Sequence, residues 1–485
     1  YYAKYERHSG IKHGVGSLQW IKDTLKKWGV DSPETQIEHF VSCDAFYEDP
    51  SYTQGDTVYV GGSPTTKYAM HNIFSDKLLE PLLINNYKII MQMKSQWQAQ
   101  YHTVDHHILH TYSTLRPYRQ AVIDGKGTGN RYALLNDKIL TIGRPGWPFG
   151  SYLVRIGLRM NLDSGHEIND SLDIPGKIMG LQAYGNIVEK YSDIKNIDLI
   201  NAPFSIDNPT FDNKDWLDFV TTAHNTLVEE HLNLFRENYK PGQQVSYTGG
   251  VALNVVANDA IKKEFDLKIP PHCGDEGLSI GALAYLGDLY DFEVKFDNFP
   301  FCQDDEPSWG TADSKSIKRT AEELAKGKIV LWYNGHGEIG PRALGNRSIL
   351  MDPTIKNGKQ KINAVKKREP WRPFGASVKQ DKSKDWFDIE DSPYMLYNAQ
   401  VKNDNIPTVT HIDNTCRPNT VTPEMNPAYY ELLDCFEKLT GVPILLNTSL
   451  NRMKEPIAGT RDQAIKLFNE TKIDKMVIGS KTWSR

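Results

Sequence analysis

An α/β architecture is predicted for this 485-residue chain by two patterns and a composition. Apolar residues recur at helical spacing in several windows, and these windows alternate with short strand-like runs bounded by glycine. At 39% hydrophobic and 24% charged residues the chain has a folded, globular composition, with length for about two to four domains.

A first helix is expected over 17–29, where Leu18, Ile21, Leu25 and Trp28 share a face and Gly29 can end it. LLNDKILTIG at 134–143 reads as a strand. Trp216, Phe219, Val220, Ala223 and Leu227 predict a helix over 215–239. VSYTGGVAL at 245–253 reads as a strand whose paired glycines turn the chain as it exits. DFEVKFDNFPFCQDDEPSWGTADS at 291–314 breaks the pattern and marks a junction between units 1–300 and 301–485. Beyond it come a helix over 314–326, the strand KIVLWYN, a helix over 427–440 ending at Gly441, the strand PILLN, and a last helix and strand in DQAIKLFNETKIDKMVIG.

A formal charge of −5 disfavours a strongly basic nucleic-acid scaffold while leaving room for a local basic groove. The five cysteines are scattered and never form C-x-x-C, which fits a reducing, cytoplasmic setting. The sequence shows no apolar run long enough for a membrane span and no signal-like opening. It starts at Tyr1 inside what reads as a domain interior, so a preceding N-terminal strand is expected to be missing.

NGHGEIGPRALGNRSILMDP at 334–353 is the most unusual stretch. It lacks the lysine of a G-x-x-x-x-G-K-[ST] phosphate loop, yet its glycines would let backbone approach a ligand while Arg342 and Arg347 fork onto anionic oxygens. A tight turn carrying two surface arginines is the alternative. KKREPWRPF adds Lys366, Arg368 and Arg372, and TCRPNT adds Arg417; as a plain charge run, KKRE would be a solvated face, but Trp371, Pro373 and Phe374 interrupt it. Asn447, Ser449 and Asn451 are read at the exit of the PILLN strand, suited to ribose or phosphate oxygens.

In the N-terminal unit, His106 and His110 of DHHILHTYS stand one helical turn apart and could share a metal ion, or simply solvate a helix face. Asp124 in VIDGKG and Asp275 in CGDEGLS could complete a mixed site, or be ordinary turn residues. Without H-E-x-x-H, a zinc protease of that type is disfavoured. TGGVALN and CGDEGLSIGAL resemble the glycine loops with which actin-like and sugar-kinase-like folds hold adenosine nucleotides, through Gly249, Gly250, Asn254 and Gly274.

Ten motifs in order carry a resemblance over nearly the whole chain: YERHSGIKH, DHHILHTYS, VIDG, KIMGLQAYG, TGGVALN, GDEGLSIGAL, GEIGPRALGNRSILMDP, KKREPWRPF, HIDNTCRPNT and VPILLNTSLN. By these the chain resembles the NodU/CmcH-type O-carbamoyltransferase family. It departs from the family's D-E-G-K at LDIPGK, and its His110 to Asp124 spacing is shorter than the family's, which makes Asp124 the last choice among the metal ligands. The resemblance implies an N-terminal actin-like, sugar-kinase-like ATPase-fold domain followed by a YrdC-like α/β domain. It implies that the second forms carbamoyl adenylate from ATP, with Mg(II), and carbamoyl phosphate, and that the first passes the carbamoyl group to a hydroxyl acceptor.

On that resemblance Arg342, Lys366 and Arg368 serve the charge on the phosphoryl oxygens, and Arg347, Arg372, Arg417, Asn447, Ser449 and Asn451 contact the adenylate. His106, His110, Asp275 and Asp124 hold Fe(II) or a similar divalent ion, and His13 takes the acceptor's proton. The acceptor is a small molecule or a 5-hydroxymethylpyrimidine in nucleotide or DNA, and loops 44–70 and 143–170 are expected to shape its pocket. A homodimer is implied as well. A nucleotide-binding partner in tRNA modification, without transfer activity, is the reading from a different class.

Overall fold

The structure is a computed structural model that describes residues 39–44, 100–115, 119–124, 131–136, 138–143, 152–154, 156–157, 162, 174–191, 213–303, 310–453 and 455–485, and the statements below concern those residues. The expected helix at 17–29, His13, and nearly all of loops 44–70 and 143–170 lie outside them.

In chain order, β1 (His39–Asp44) pairs in parallel with β2 (Gln100–Asp105), which runs straight into α1 (His106–Tyr112). Then come β3 (Gln120–Val122), β4 (Arg131–Asn136), β5 (Lys138–Gly143), α2 (Ile174–Leu181), α3 (Lys214–Asn238), β6 (Gln244–Thr248), α4 (Val255–Lys262), β7 (Asp266–Lys268) and α5 (Leu278–Tyr290). The single strand expected over 134–143 is instead two, since β4 and β5 pair antiparallel from Arg131 opposite Gly143 to Asn136 opposite Lys138. The Asn-Asp step inside LLNDKILTIG is a turn signal that the β-branched run around it masks.

Helix α3 follows its sequence closely. The Asn213 side chain accepts a hydrogen bond from Trp216 N at 3.3 Å to cap it, and Trp216, Phe219, Val220, Ala223 and Leu227 are all buried. Each such side chain contributes about 1.5–3 kcal/mol of apolar burial. Strands β3, β6 and β7 form a three-stranded parallel sheet in that order, so their carboxyl ends open on one edge.

Beyond residue 310 come α6 (Ser314–Ala325), β8 (Val330–Tyr333), β9 (Arg347–Met351), α7 (Gly358–Lys366), β10 (Gly375–Lys379), β11 (Ala399–Gln400), β12 (Thr415–Val421), α8 (Pro427–Thr440), β13 (Ile444–Ser449), α9 (Arg461–Glu470), β14 (Lys475–Ile478) and β15 (Lys481–Ser484). The strands form one eight-stranded mixed sheet in the order β11-β12-β10-β13-β9-β8-β14-β15. Its inner strands β8, β9 and β10 are buried at every residue, so both faces are covered, and Trp332 is fully buried. Asn426 caps α8 by accepting from Tyr429 N at 3.2 Å, and Gly441 ends it in the left-handed region.

Strand β13 runs on through Ser449, two residues past the expected PILLN strand, so Ser449 and Asn451 stand at its exit as expected while Asn447 does not. Asn447 is interior and fully buried, with Nδ2 donating to Ala343 O at 3.0 Å and Ser377 Oγ at 2.8 Å. The two halves also touch. Asn258 Nδ2 donates to Leu396 O at 2.9 Å, Tyr397 OH donates to Leu267 O at 2.7 Å, and buried apolar residues from both halves form one contiguous cluster.

Candidate active site

The first candidate site forms where the three parallel strands end. Asp124 lies just past β3, Gly249 and Gly250 past β6, and Gly274 and Asp275 past β7, so one edge collects all five. This is the edge on which open α/β sheets bind ligands. The loop after β6 is tied to its neighbours, with Gly249 N donating to Cys273 O at 2.7 Å and Gly250 N to Asp124 Oδ1 at 3.0 Å. Gly249 has φ +97°, and a Cβ there would strike the Ile123 carbonyl, so only glycine fits.

Helix α1 delivers His110 to the same edge. Thr248 Oγ1 donates to His110 O at 3.0 Å, and the imidazole is fully buried with Nε2 3.3 Å from Asp275 Oδ1. A Cβ at Gly281 on α5 would collide with the Leu109 carbonyl, so this glycine permits the close α1–α5 approach. One donor atom each from His110, Asp124 and Asp275 lies within 4.8 Å of the other two. An imidazole with two carboxylates suits a divalent ion of the Fe(II) or Zn(II) type. His106 opens the same helix, one turn before His110, and its side chain lies outside the described residues.

His272 packs behind this edge. Its Nε2 donates to Ser113 O at 2.8 Å, yet burial, aided by the charge of His110, pushes its pKa down to about 4, so the ring is neutral at pH 7. His224 is also buried, with its pKa pushed down to about 4, and its Nε2 lies 3.1 Å from Asn254 Nδ2. Asn254 caps α4 by accepting from Ala257 N at 3.2 Å, which leaves its side chain engaged with protein on both ends.

The second candidate site is a cluster of cations in the C-terminal half. At the end of α7, the Lys366 ammonium donates to Ser449 O at 2.6 Å, to Ser449 Oγ at 3.1 Å and to Asn451 Oδ1. Burial, then the charges of Arg368 and Arg372, hold its pKa well below lysine's usual range. Arg368 stacks over Phe374 at 4.0 Å while Nε and Nη2 donate to Asn363 Oδ1 and Pro373 O. Its pKa is held down by burial and by Arg372 and Arg417, and that of Arg417 by burial, Arg342 and Arg372. The charges of Arg342, Arg417, Arg372, Arg368 and Lys366 therefore bear on one another. KKRE is no solvated face: Lys366 is buried and Arg368 half-buried, while Lys367 alone of the pair of lysines points out.

The glycine-rich stretch folds around a residue whose role its sequence did not betray. Glu338 is buried, and its Oε1 accepts from Leu344 N at 2.6 Å, Arg347 N at 3.2 Å and Asn346 N at 3.4 Å. Arg347 donates to Asn334 O and Asn346 O through Nη1, donates to Gly335 O through Nη2, and lies 3.6 Å over the Tyr333 ring. Those bonds commit Arg347 to the loop itself, whereas Arg342 and Arg417 share the cation cluster. His272 and Glu338 were legible only as letters inside PPHCGDEG and NGHGEIG: the partner of His272 is distant in sequence, and those of Glu338 are backbone N–H groups of the same stretch, which leave no side-chain signal.

Among the described residues no helix is long and apolar enough to cross a membrane. Residues 198–284 match the family described as Carbamoyltransferase N-terminus and residues 321–485 the family described as Carbamoyltransferase C-terminus. The chain is 35% identical over 271 residues to nodulation protein NolNO of Sinorhizobium fredii, covering 49% of this chain and 39% of the relative. It is 36% identical over 239 residues to nodulation protein U of Rhizobium tropici, covering 46% and 41%. With the 3'-hydroxymethylcephem-O-carbamoyltransferase of Streptomyces clavuligerus it shares 27% identity over 341 residues, 65% of each chain. The chain thus spans less than two thirds of the length of these relatives. The five cations fall inside the C-terminus match and Gly249 and Asp275 inside the N-terminus match, while His110 and Asp124 precede it.

Proposed function

We propose that this chain, which belongs to the NodU/CmcH-type carbamoyltransferase family, is an ATP-dependent O-carbamoyltransferase with two linked sites. In this reading residues 301–485 act as a YrdC-like domain and residues 1–300 as an actin-like one. Carbamoyl phosphate and water yield carbamate and phosphate. A carbamate oxygen then attacks the α-phosphorus of Mg(II)-bound ATP, the bond to the β-phosphate oxygen breaks, and pyrophosphate leaves carbamoyl adenylate. Finally the acceptor hydroxyl attacks the carbamoyl carbon, AMP departs, and the hydroxyl proton passes to a base, a role we give His13.

The observation that carries this reading is a set of guanidinium donors left without hydrogen bonds. The guanidinium groups of Arg372 and Arg417 donate no hydrogen bond to a described residue, and Arg417 Nε is buried without one. Guanidinium cannot shed its proton to relieve that cost, so the cluster favours a polyanion. Arg342, Arg372 and Arg417 grip the phosphates, and Lys366 and Arg368 meet the charge that builds on the α-phosphoryl oxygens. Ser449 and Asn451 aim Lys366 and face the nucleotide. Arg347 and Asn447, both committed to backbone and side chains of the fold, shape the pocket without touching the ligand.

At the strand-end site His110, Asp124 and Asp275, with His106 from the same helix, would hold a divalent ion such as Fe(II), which supplies Lewis-acid polarisation of a carbonyl. Gly249, Gly250 and Gly274 leave bare backbone for the adenylate, and Asn254 fixes the start of the helix behind them. The acceptor is a hydroxyl-bearing molecule, and ATP and carbamoyl phosphate make the cytoplasm the setting. The purified, metal-loaded protein should release pyrophosphate from ATP only when carbamoyl phosphate is supplied, and AMP as an acceptor hydroxyl or water takes the carbamoyl group. Release of neither product from a folded, metal-loaded sample would sink the proposal.

A further inference from the structure

The KIMGLQAYG motif has no part in the chemistry above, yet it reaches across to two of the three segments that carry the cations. Helix α2 starts the motif at Lys177, whose buried ammonium sits 2.8 Å from Glu369 Oε1 and donates to Leu162 O at 3.1 Å. Glu369 stands between Arg368 and Arg372, with its other oxygen, Oε2, 3.6 Å from Arg372 Nη1. That distance is an ion pair and too long for a hydrogen bond. Further along, Gly180 fits against Pro373, where an added Cβ would lie 3.3 Å from Pro373 Cδ, and Tyr184 OH donates to Trp371 O at 3.5 Å. The same stretch holds the approach to Arg417, since His411 Nε2 donates to Gly180 O at 2.9 Å and the His411 and Tyr184 rings meet edge to face at 5.6 Å.

A buried lysine–carboxylate pair is poor evidence for stability, because apolar residues of similar size often do as well. Its geometry suggests a different use. Glu369 is the only carboxylate of KKREPWRPF, set between the two arginines, and left to itself it would form a bidentate pair with Arg372. Burial works to raise its pKa, but the hydrogen bond from Lys177 and the charges of Arg372 and Lys177 hold it below the usual carboxylate range. Glu369 is therefore ionised at pH 7 and would compete for arginine donors.

We propose that Lys177 is a positioning residue for the cation site: by occupying Glu369 Oε1 it keeps Arg372 from closing onto that carboxylate, so the Arg372 donors stay available to an anionic ligand. The N-terminal half thereby sets the anion affinity of the C-terminal half. This rests on the anion-binding role proposed for the cluster, but not on carbamoyl phosphate chemistry.

The test is titration of the full chain with inorganic pyrophosphate by calorimetry, with circular dichroism to check each fold. Lys177→Met should bind pyrophosphate about tenfold more weakly, because Glu369 turns to Arg372. Adding Glu369→Gln in that background should restore affinity to near wild type, since the competing charge is gone. A plain packing role predicts the reverse, with the double variant weaker than the single. Wild-type affinity in Lys177→Met, or no recovery in the double variant, overturns the inference. If Lys177→Met does not fold, Lys177→Arg carries the test: the guanidinium keeps the pair with Glu369 and should keep wild-type affinity, and a tenfold loss overturns the inference. Because pyrophosphate binding needs no carbamoyl phosphate, failure of this coupling and failure of the carbamoyltransferase reading are separately visible.

Discussion

The strand-end cluster and the cation cluster are electrostatic opposites. At the first, two carboxylates and an imidazole converge, with neutral His272 behind them. At the second, four arginines and a lysine crowd together with Glu369 already engaged by Lys177. The second is a concentration of like charge that a fold would not keep for stability alone, and the first gathers three groups of metal-ligating type. The first suits a small cation and the second a polyanion, so under the proposed function carbonyl polarisation and phosphate handling fall to different clusters.

The largest expected effect is at the cations. Arg417→Ala should slow carbamoyl-phosphate-dependent pyrophosphate formation by about 10²–10³, the typical cost of one lost donor to developing anionic charge. Next, Asp275→Ala should weaken Fe(II) or Zn(II) binding by at least about 100-fold, since even outer-shell changes cost about 10–100-fold; metal titration of the folded variant checks this. A smaller, structural effect is expected at Gly281→Ala, which should lower stability to urea by about 1–3 kcal/mol as α5 is forced off the Leu109 carbonyl. It should also disturb the His110–Asp275 approach and leave pyrophosphate binding unchanged.

The two halves should also part company with pH. His224 and His272, held near 4 in the fold and at about 6.5 in an unfolded chain, bind more protons when unfolded. Stability from the N-terminal half should then fall as pH drops from 6.5 toward 4. Lys366 is lowered from 10.5, so its burial cost is present at low pH and is relieved as pH rises through its folded pKa toward 10.5. A bound anion works to raise that pKa again, so above the folded pKa of Lys366 pyrophosphate binding should take up a proton. Calorimetry in two buffers of different ionisation enthalpy would reveal it, and Lys366→Met should abolish it.

Much of this was legible in the sequence because it is local. The apolar spacing of Trp216, Phe219, Val220, Ala223 and Leu227 dictates α3, and Gly441 marks the end of α8. Chain spacing alone makes Asp124 the last choice among ligands, but the parallel pairing of β3 with β6 brings it beside Gly250 whatever that spacing. The PILLN pattern ends two residues before β13 does, because Asn447 and Thr448 look like loop residues yet are held in the strand by pairing with β9. The contacts of Glu338, Lys177 and Glu369 were not legible. Their partners lie elsewhere in the chain or on its backbone, and single-sequence patterns carry no trace of that.

The central claim is that phosphate chemistry and carbonyl polarisation occupy different clusters. Carbamoyl-phosphate-dependent exchange of labelled pyrophosphate into ATP, compared between Asp275→Ala and Arg417→Ala, tests it most directly. Asp275→Ala should retain exchange within about twofold of wild type, as expected for independent sites, while Arg417→Ala loses it by about 100-fold or more. Equal loss in both variants, or exchange that survives Arg417→Ala, would contradict the account.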